Sequence, residues 1–467
     1  MFETENFKTD IMKQSNFIVP CLLAAVLLFA SCQENEVSEE VEDTTPTRTV
    51  LAYMVADNSL NSYAVMDLEE MEEGYASVDD PEHSNLLVYL DDYSTPRLLQ
   101  ITQEKGVVVV DTIETYTEVN SLSVDNMKSI ISDALEQFEA DSYGLVLWSH
   151  GDGWLPTTAE TEAVTRAFGE DLGNNSNSQN SDQMSIADLK DALKGIANFE
   201  YILFDACEMQ GVEVAYELKD CANYIVASPN EVSAYGGAYD DIVPAMFTES
   251  DAALAVAQAY YAQYAENYSY DASSTGGPNN RSSGTTEGYG RYTGGTSGSS
   301  SYTYGVAVSV VDCSALDALA TATKSILNSY ITDGDSVATS SVYNYDDNFY
   351  NFYYDLDGFI ASLTGGGDDY TSWKTYYDAA VPLFLTTEYT YSSLANDGDG
   401  GMTSMADATG LSTYIPANEN FFDAVYWSYY LQYPQYTSVI EAYYEYFNSY
   451  YQSFDWYSAA GWDVSGW

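Results

Sequence analysis

Short, nearly continuous apolar runs recur along the chain at positions 49–55, 85–90, 144–148, 201–204, 224–227 and 304–311. None alternates apolar with polar residues, as a strand with one wet face would. Runs of this kind fit strands buried on both faces of a mostly parallel sheet. Between them, amphipathic segments at 63–75, 123–139, 185–196, 211–219 and 250–264 carry helical spacing. The alternation predicts a three-layer α/β/α domain. The pair 97–103 and 106–113, turning at Glu104-Lys105, predicts an antiparallel hairpin excursion.

Two polar stretches interrupt this pattern. Positions 170–183 are Asn/Ser-rich and fall between the third and fourth runs, and 270–302 form a long Gly/Ser/Thr/Tyr tract that reads as a surface insertion. From about Ser314 the chain reads as helices with aromatic-rich loops, and one further apolar piece at 410–415 is closed by Pro416. The expected layout is a core over 48–312 followed by a helical, aromatic-rich C-terminal elaboration over 313–467.

The amino terminus carries a different signal. Lys13 precedes an apolar run at 17–29, and Ala30-Ser31 precede Cys32. This is the layout of a secretory signal over 1–31, with Met12 as its expected start, and the run is too short to span a bilayer comfortably. Small residues before a cysteine resemble a bacterial lipobox, which implies cleavage and lipidation at Cys32 and an envelope location. The acidic stretch 33–47 then reads as a tether. Apart from Cys32, the exported chain keeps Cys207, Cys221 and Cys313, an odd number that leaves at least one free thiol.

Composition narrows the function. The chain has 72 acidic residues against 14 basic ones, a formal net charge of -58. Such a field repels nucleic acid and attracts cationic peptides or dissolved cations. Only two histidines exist, His83 and His150, so a multi-histidine zinc site is not available. His83 lies in a polar turn before a predicted strand, the end of the sheet where active sites do not gather. His150 ends the run Gly144-Leu145-Val146-Leu147-Trp148-Ser149 and is followed by Gly151-Asp152-Gly153, at the carboxyl edge that open α/β sheets use. The next run ends in Asp205-Ala206-Cys207, just before a predicted helix whose dipole and free N–H groups would favour a thiolate. Alone, Cys207 would be an inert buried thiol. If the strands are neighbours, it meets His150, with backbone N–H groups near Gly151 as an oxyanion site.

Trp148-Ser149-His150-Gly151, followed 57 positions after His150 by Cys207 in Phe204-Asp205-Ala206-Cys207, resembles the clostripain family of cysteine peptidases. The resemblance extends through Ser185-Ile186-Ala187-Asp188-Leu189, Ala227-Ser228-Pro229-Asn230-Glu231 and Gly410-Leu411-Ser412-Thr413-Tyr414-Ile415-Pro416. It implies a caspase-haemoglobinase fold, His150 as general base and Cys207 as nucleophile. Asp205 would line the S1 pocket and select Arg or Lys at P1, with Glu231 adding charge there. It also implies self-cleavage between the histidine and the cysteine, for which Arg166, the one basic residue there outside a predicted helix, is the candidate. No cofactor is required on this reading, although the resemblance admits calcium dependence. The acidic turns at 366–369 and 396–399 look oxygen-rich, but neither matches a full EF-hand loop and both read as solvated turns. The alternative from another class is an inactive surface lipoprotein that holds peptides or glycans with its Tyr- and Trp-rich C-terminal part.

Overall fold

A computed structural model describes residues 47–157, 167–173, 181–268, 293–297, 300–332, 334–395 and 400–467. The signal, Cys32, the tether, Arg166, most of the 270–302 tract and the acidic turn at 396–399 lie outside them.

The apolar runs become the centre of one nine-stranded sheet. Its strands are β1 (Arg48–Val55), β2 (Ser84–Asp91), β3 (Arg97–Glu104), β4 (Val107–Thr115), β5 (Ser142–Trp148), β6 (Phe199–Asp205), β7 (Ala222–Ala227), β8 (Ala307–Asp312) and β9 (Leu383–Thr386). The spatial order is β9-β8-β7-β6-β5-β1-β2-β3-β4. From β7 to β2 every neighbouring pair is parallel, whereas β8, β9, β3 and β4 add antiparallel edges. The 304–311 run, which has the apolar character of a parallel strand, therefore joins antiparallel. The β3–β4 hairpin turns one residue later than its sequence suggests. Glu104 pairs with Val107, and Lys105 and Gly106 take φ of 55° and 79°, the left-handed pair that a two-residue hairpin turn requires.

Both sheet faces are covered, because successive side chains of a strand point to opposite sides. Tyr53, Leu147, Ile202 and Phe204 pack on one side with helices α2 (Val124–Gln137), α3 (Ile186–Leu193) and α4 (Val212–Leu218). Met54, Val146, Tyr201 and Leu203 pack on the other with α1 (Asn61–Tyr75), α5 (Tyr239–Met246) and α6 (Ala252–Asn267). The starts of α2 and α3 are set by Ser123 and Ser185, whose hydroxyls accept from the Asn126 and Asp188 amides. Helix α5 does not stand out in the sequence, since Pro244 interrupts its pattern.

Residues 44–467 form one compact unit, so position 313 does not separate two bodies. The 410–415 piece packs beside the loop that follows β6. Ser412 forms a parallel bridge with Gly211 and donates its amide to the Gln210 carbonyl at 3.0 Å. In the turn at 366–369, Asp368 and Asp369 open the helix Asp368–Ala380, and Asp369 accepts from the Tyr330 hydroxyl.

Candidate active site

Strands β5 and β6 run parallel with Trp148 opposite Asp205. His150 and Cys207 each follow two residues later, so they leave adjacent strands at the same level of the carboxyl edge. Both line one cavity of about 190 Å³, together with Leu60, Trp148, Asp205, Glu231 and Val232. The two loops touch closely: a Cβ on Gly151 would lie 2.7 Å from the Cys207 carbonyl oxygen. Glycine is needed at 151 for that approach.

The Cys207 sulfur sits 3.3 Å from the Val232 amide and 3.6 Å from the Val232 carbonyl oxygen. Immediately after it, Glu208 adopts a left-handed φ of 54° and turns the chain sharply. The amides of Glu208 and Gln210 then donate to the carbonyls of Asn230 and Ser228. These bonds clamp the loop after β6 to the loop after β7, which brings Glu231 and Val232 into the cavity wall.

The sulfur's surroundings overturn the thiolate expected from a helix dipole. Helix α4 begins only at Val212, so its amino end is not at the sulfur. Burial, followed by the carboxylates of Glu208 and Glu231, pushes the Cys207 thiol well above its ordinary value, and the Val232 amide offsets this only in part. These surroundings favour the neutral thiol over the thiolate, so chemistry at sulfur would call for a base beside it.

His150 is held in place by residues the sequence does not single out. Its Nε2 lies 2.8 Å from the Ser59 hydroxyl and 3.7 Å from Glu170 Oε2. Glu170 belongs to a short strand, Phe168–Asp171, and the Gly169 amide donates to the His150 carbonyl at 2.8 Å. Asn58 ties the arrangement together by donating to the Glu170 carbonyl and the Ser149 hydroxyl. Ser59 and Glu170 come from two separate loops, each ordinary in sequence, and only the carboxyl-edge position after β1 hints at the first. His83, as its turn suggests, lies at the opposite end of the sheet and pairs with Asp80 at 2.9 Å.

Asp205 lines the cavity but is not an open charge. Gly237 N and the Tyr239 hydroxyl donate to its Oδ2, and the Tyr260 hydroxyl donates to Oδ1. Burial pushes its carboxyl up, and these three donors oppose the rise. Through these bonds it holds the 236–239 loop and α6 against the sheet. Glu231 Oε2 accepts from the Ser393 amide at 2.6 Å, and burial raises its carboxyl as well. Cys221 and Cys313 are buried free thiols away from the cavity lining.

A model of the clostripain family matches residues 52–467. Clostripain of Hathewaya histolytica is 28% identical over 221 residues, 42% of this chain, and the match spans only 41% of that relative's length. A secreted C11 cysteine protease from Bacteroides thetaiotaomicron, solved in complex with an irreversible peptide inhibitor, is 37% identical, with a TM-score of 0.69 over 90% of this chain and 99% of that one. An inactive zymogen C11 protease from Parabacteroides distasonis is 27% identical, with a TM-score of 0.65 over 89% of this chain and 99% of that one. A family match over nearly the whole sheet, and a histidine and a cysteine lining one cavity at its carboxyl edge, lead to one conclusion: the chain belongs to the clostripain family of cysteine peptidases.

Proposed function

We propose that the protein is an endopeptidase that cleaves after Arg or Lys by a Cys207–His150 dyad, exported and held at the bacterial envelope by a lipid on Cys32. The observation that carries the reading is that His150 and Cys207 line one cavity from the ends of adjacent parallel strands. The secreted relative from Bacteroides thetaiotaomicron supports export, and the lipobox-like Ala30-Ser31-Cys32 supports the anchor.

The chemistry follows from the local charges. As Cys207 Sγ attacks the carbonyl carbon of the scissile peptide, its proton passes to the His150 ring. The carbonyl oxygen gains charge and takes the amides of Gly151 and Cys207, neither of which donates to a backbone carbonyl among the described residues. The C–N bond then breaks as the imidazolium returns its proton to the leaving amine. Water, deprotonated by the same imidazole, attacks the thioester carbonyl, and the released thiolate regains a proton. Ser59 and Glu170 steady the ring, and Glu170 is close enough to favour the imidazolium that each half-reaction needs.

Basic P1 selection rests on the cavity's charge. Among the described residues its lining includes Asp205 and Glu231 but no lysine or arginine. A cationic side chain placed there would offset the carboxylates that hold the Cys207 proton, so the correct substrate would help to activate its own nucleophile. Arginyl and lysyl acyloxymethyl ketones test the assignment. Covalent labelling at sulfur that disappears in Cys207→Ala is expected, and failure of either basic probe to label at any pH refutes it.

A further inference from the structure

The two cysteines that the peptidase chemistry does not use stand together at the opposite end of the sheet. Cys221 precedes β7 and Cys313 follows β8, and these strands pair antiparallel with Asp312 opposite Tyr224. Cys313 is therefore level with Asn223. Cys221, two residues further along, points to the same side of the sheet as its diagonal neighbour. Both thiols are buried in one apolar cluster, and both are free. Burial, followed by Asp312 and Cys221, pushes the Cys313 thiol up to about 12, so the two sulfurs are near enough to feel each other.

Diagonal neighbours in a regular ladder have Cα atoms ~7–8 Å apart, a little beyond the ~4.4–6.8 Å that a disulfide spans. The β7–β8 pairing ends at Tyr224 and Asp312, so it does not hold either cysteine at that distance. Cys221 closes the turn after α4, its amide donating to the Leu218 carbonyl, and Cys313 opens the 3₁₀-helix Cys313–Ala315. A movement of about 1 Å at these strand ends closes the gap. Cys313 also lines a surface groove of about 470 Å³ with Ala222, Asn223 and Asp312, which gives a small oxidant access to the pair.

We infer that Cys221 and Cys313 form an intramolecular disulfide in the exported protein, with a disulfide-carrying oxidoreductase or a small-molecule disulfide as the oxidant. One thiol, once deprotonated, attacks a sulfur of the donor disulfide and releases one donor thiol. The second thiol then displaces the remaining donor sulfur from the mixed disulfide. The chain gives up two protons and two electrons, and the donor leaves as two thiols. The oxidising compartment rests on the export proposed above, whereas the placement of the two thiols does not. Cys207 stays reduced, as the odd count of thiols after Cys32 requires. The bridge would close the long loop between the two strands, the 270–302 tract included, which restricts the unfolded chain. It would also tie down the start of β7, whose other end leads to the loop that sets Val232 on the Cys207 sulfur.

Peptide mapping tests the bridge without recourse to peptidase activity. The full chain carrying Cys207→Ala is held in a glutathione buffer rich in the disulfide form, alkylated, digested without reduction and analysed by mass spectrometry. A pair of peptides joining Cys221 to Cys313, lighter by two hydrogens than its parts and separated by reduction, is expected. The melting temperature should be several degrees higher before reduction than after it, and Cys313→Ser should remove the difference. Refolding the denatured chain in the same buffer lets the oxidant reach both thiols, so burial cannot mask the reaction. Recovery of Cys221 and Cys313 after refolding as separate alkylated or glutathione-bearing peptides would overturn the inference, whether or not the protein is exported or cleaves peptides.

Discussion

Trp148 on β5 stands opposite Asp205 on β6 in a parallel register, and this one pairing sets His150 level with Cys207. Two residues of loop follow each partner, so a shift of register by one position would move one of the pair along the edge and turn its side chain towards the other face. Asp205 is also held by Gly237, Tyr239 and Tyr260. The same residue thus anchors the register of β6 and the loop that closes the cavity.

Removing the dyad should separate binding from chemistry. Cys207→Ala abolishes turnover while the protein still binds peptide. His150→Ala leaves the half-buried thiol without a base and is expected to lower kcat by about 10²–10⁴-fold, the range for losing general-base catalysis. Steady-state kinetics on an arginyl substrate measure both. A His150→Ala enzyme with unchanged kcat would exclude the histidine from the reaction.

The loop contact at Gly151 predicts a steric defect. In Gly151→Ala the new methyl meets the Cys207 carbonyl oxygen at 2.7 Å and Met209 Sδ at 3.0 Å. Relief requires the two catalytic loops to move apart, at about 1–3 kcal/mol for overpacking of this kind. A lowered melting temperature together with a large loss of kcat/KM is expected. Wild-type kinetics in this variant would show that the loops are not tightly matched.

The two cavity carboxylates should behave differently. Glu231→Gln is expected to reduce the preference for Arg and Lys over neutral P1 residues with little change in melting temperature. Asp205→Ala leaves Tyr239, Tyr260 and the Gly237 amide without their acceptor inside the core, at about 1–3 kcal/mol for each buried donor left unsatisfied. It should therefore unfold more readily besides losing selectivity. A panel of P1 substrates with parallel thermal melts distinguishes the roles, and an Asp205→Ala protein as stable as wild type would contradict the network.

Buried carboxyls predict a stability that falls as pH rises. Burial pushes Glu213 up to about 7 and Asp346 up to about 7. Each is harder to ionise folded than unfolded, so the stability associated with its proton is fully present below the unfolded value near 4.5 or 3.8 and is lost as pH climbs towards 7. Asp92 and Asp317 shift the other way, so their contribution is lost only below about 4. Melting temperatures should therefore decline from pH 5 to pH 7. Glu213→Gln keeps an acceptor for Thr413 and Tyr414 and removes the titration, so it should flatten the decline. An unchanged slope would remove Glu213 from the account.

Self-cleavage is expected at Arg166-Ala167, between the two dyad residues in sequence. Arg166→Ala should leave the purified chain in one piece, while Cys207→Ala does the same by removing the nucleophile. Mass spectrometry of the fragments identifies the bond, and cleavage that persists in Arg166→Ala would place it elsewhere.

The central strands were legible because buried parallel strands need long apolar runs on both faces, and 49–55, 144–148 and 201–204 supply them. Helices α2 and α3 were legible from the amphipathic spacing of 123–139 and 185–196, within which they lie. Helix α5 and the antiparallel joining of β8 were not, since a proline obscures the one and strand direction leaves no mark on a short apolar run. His150 stood out because only two histidines exist and one precedes its strand. Cys207 stood out through the strand end it follows and the family motif around it.

Local pattern therefore decided which segments are strands and helices, and residue scarcity singled out His150. Neighbour order decided everything that acts between segments. The placement of Ser59 and Glu170 on His150, and of Val232 on the sulfur, depends on loops that are distant in sequence and individually unremarked. So does the upward push on the Cys207 thiol, because a thiol's proton affinity is set by burial and by carboxylates such as Glu231 that reach it only in the folded chain.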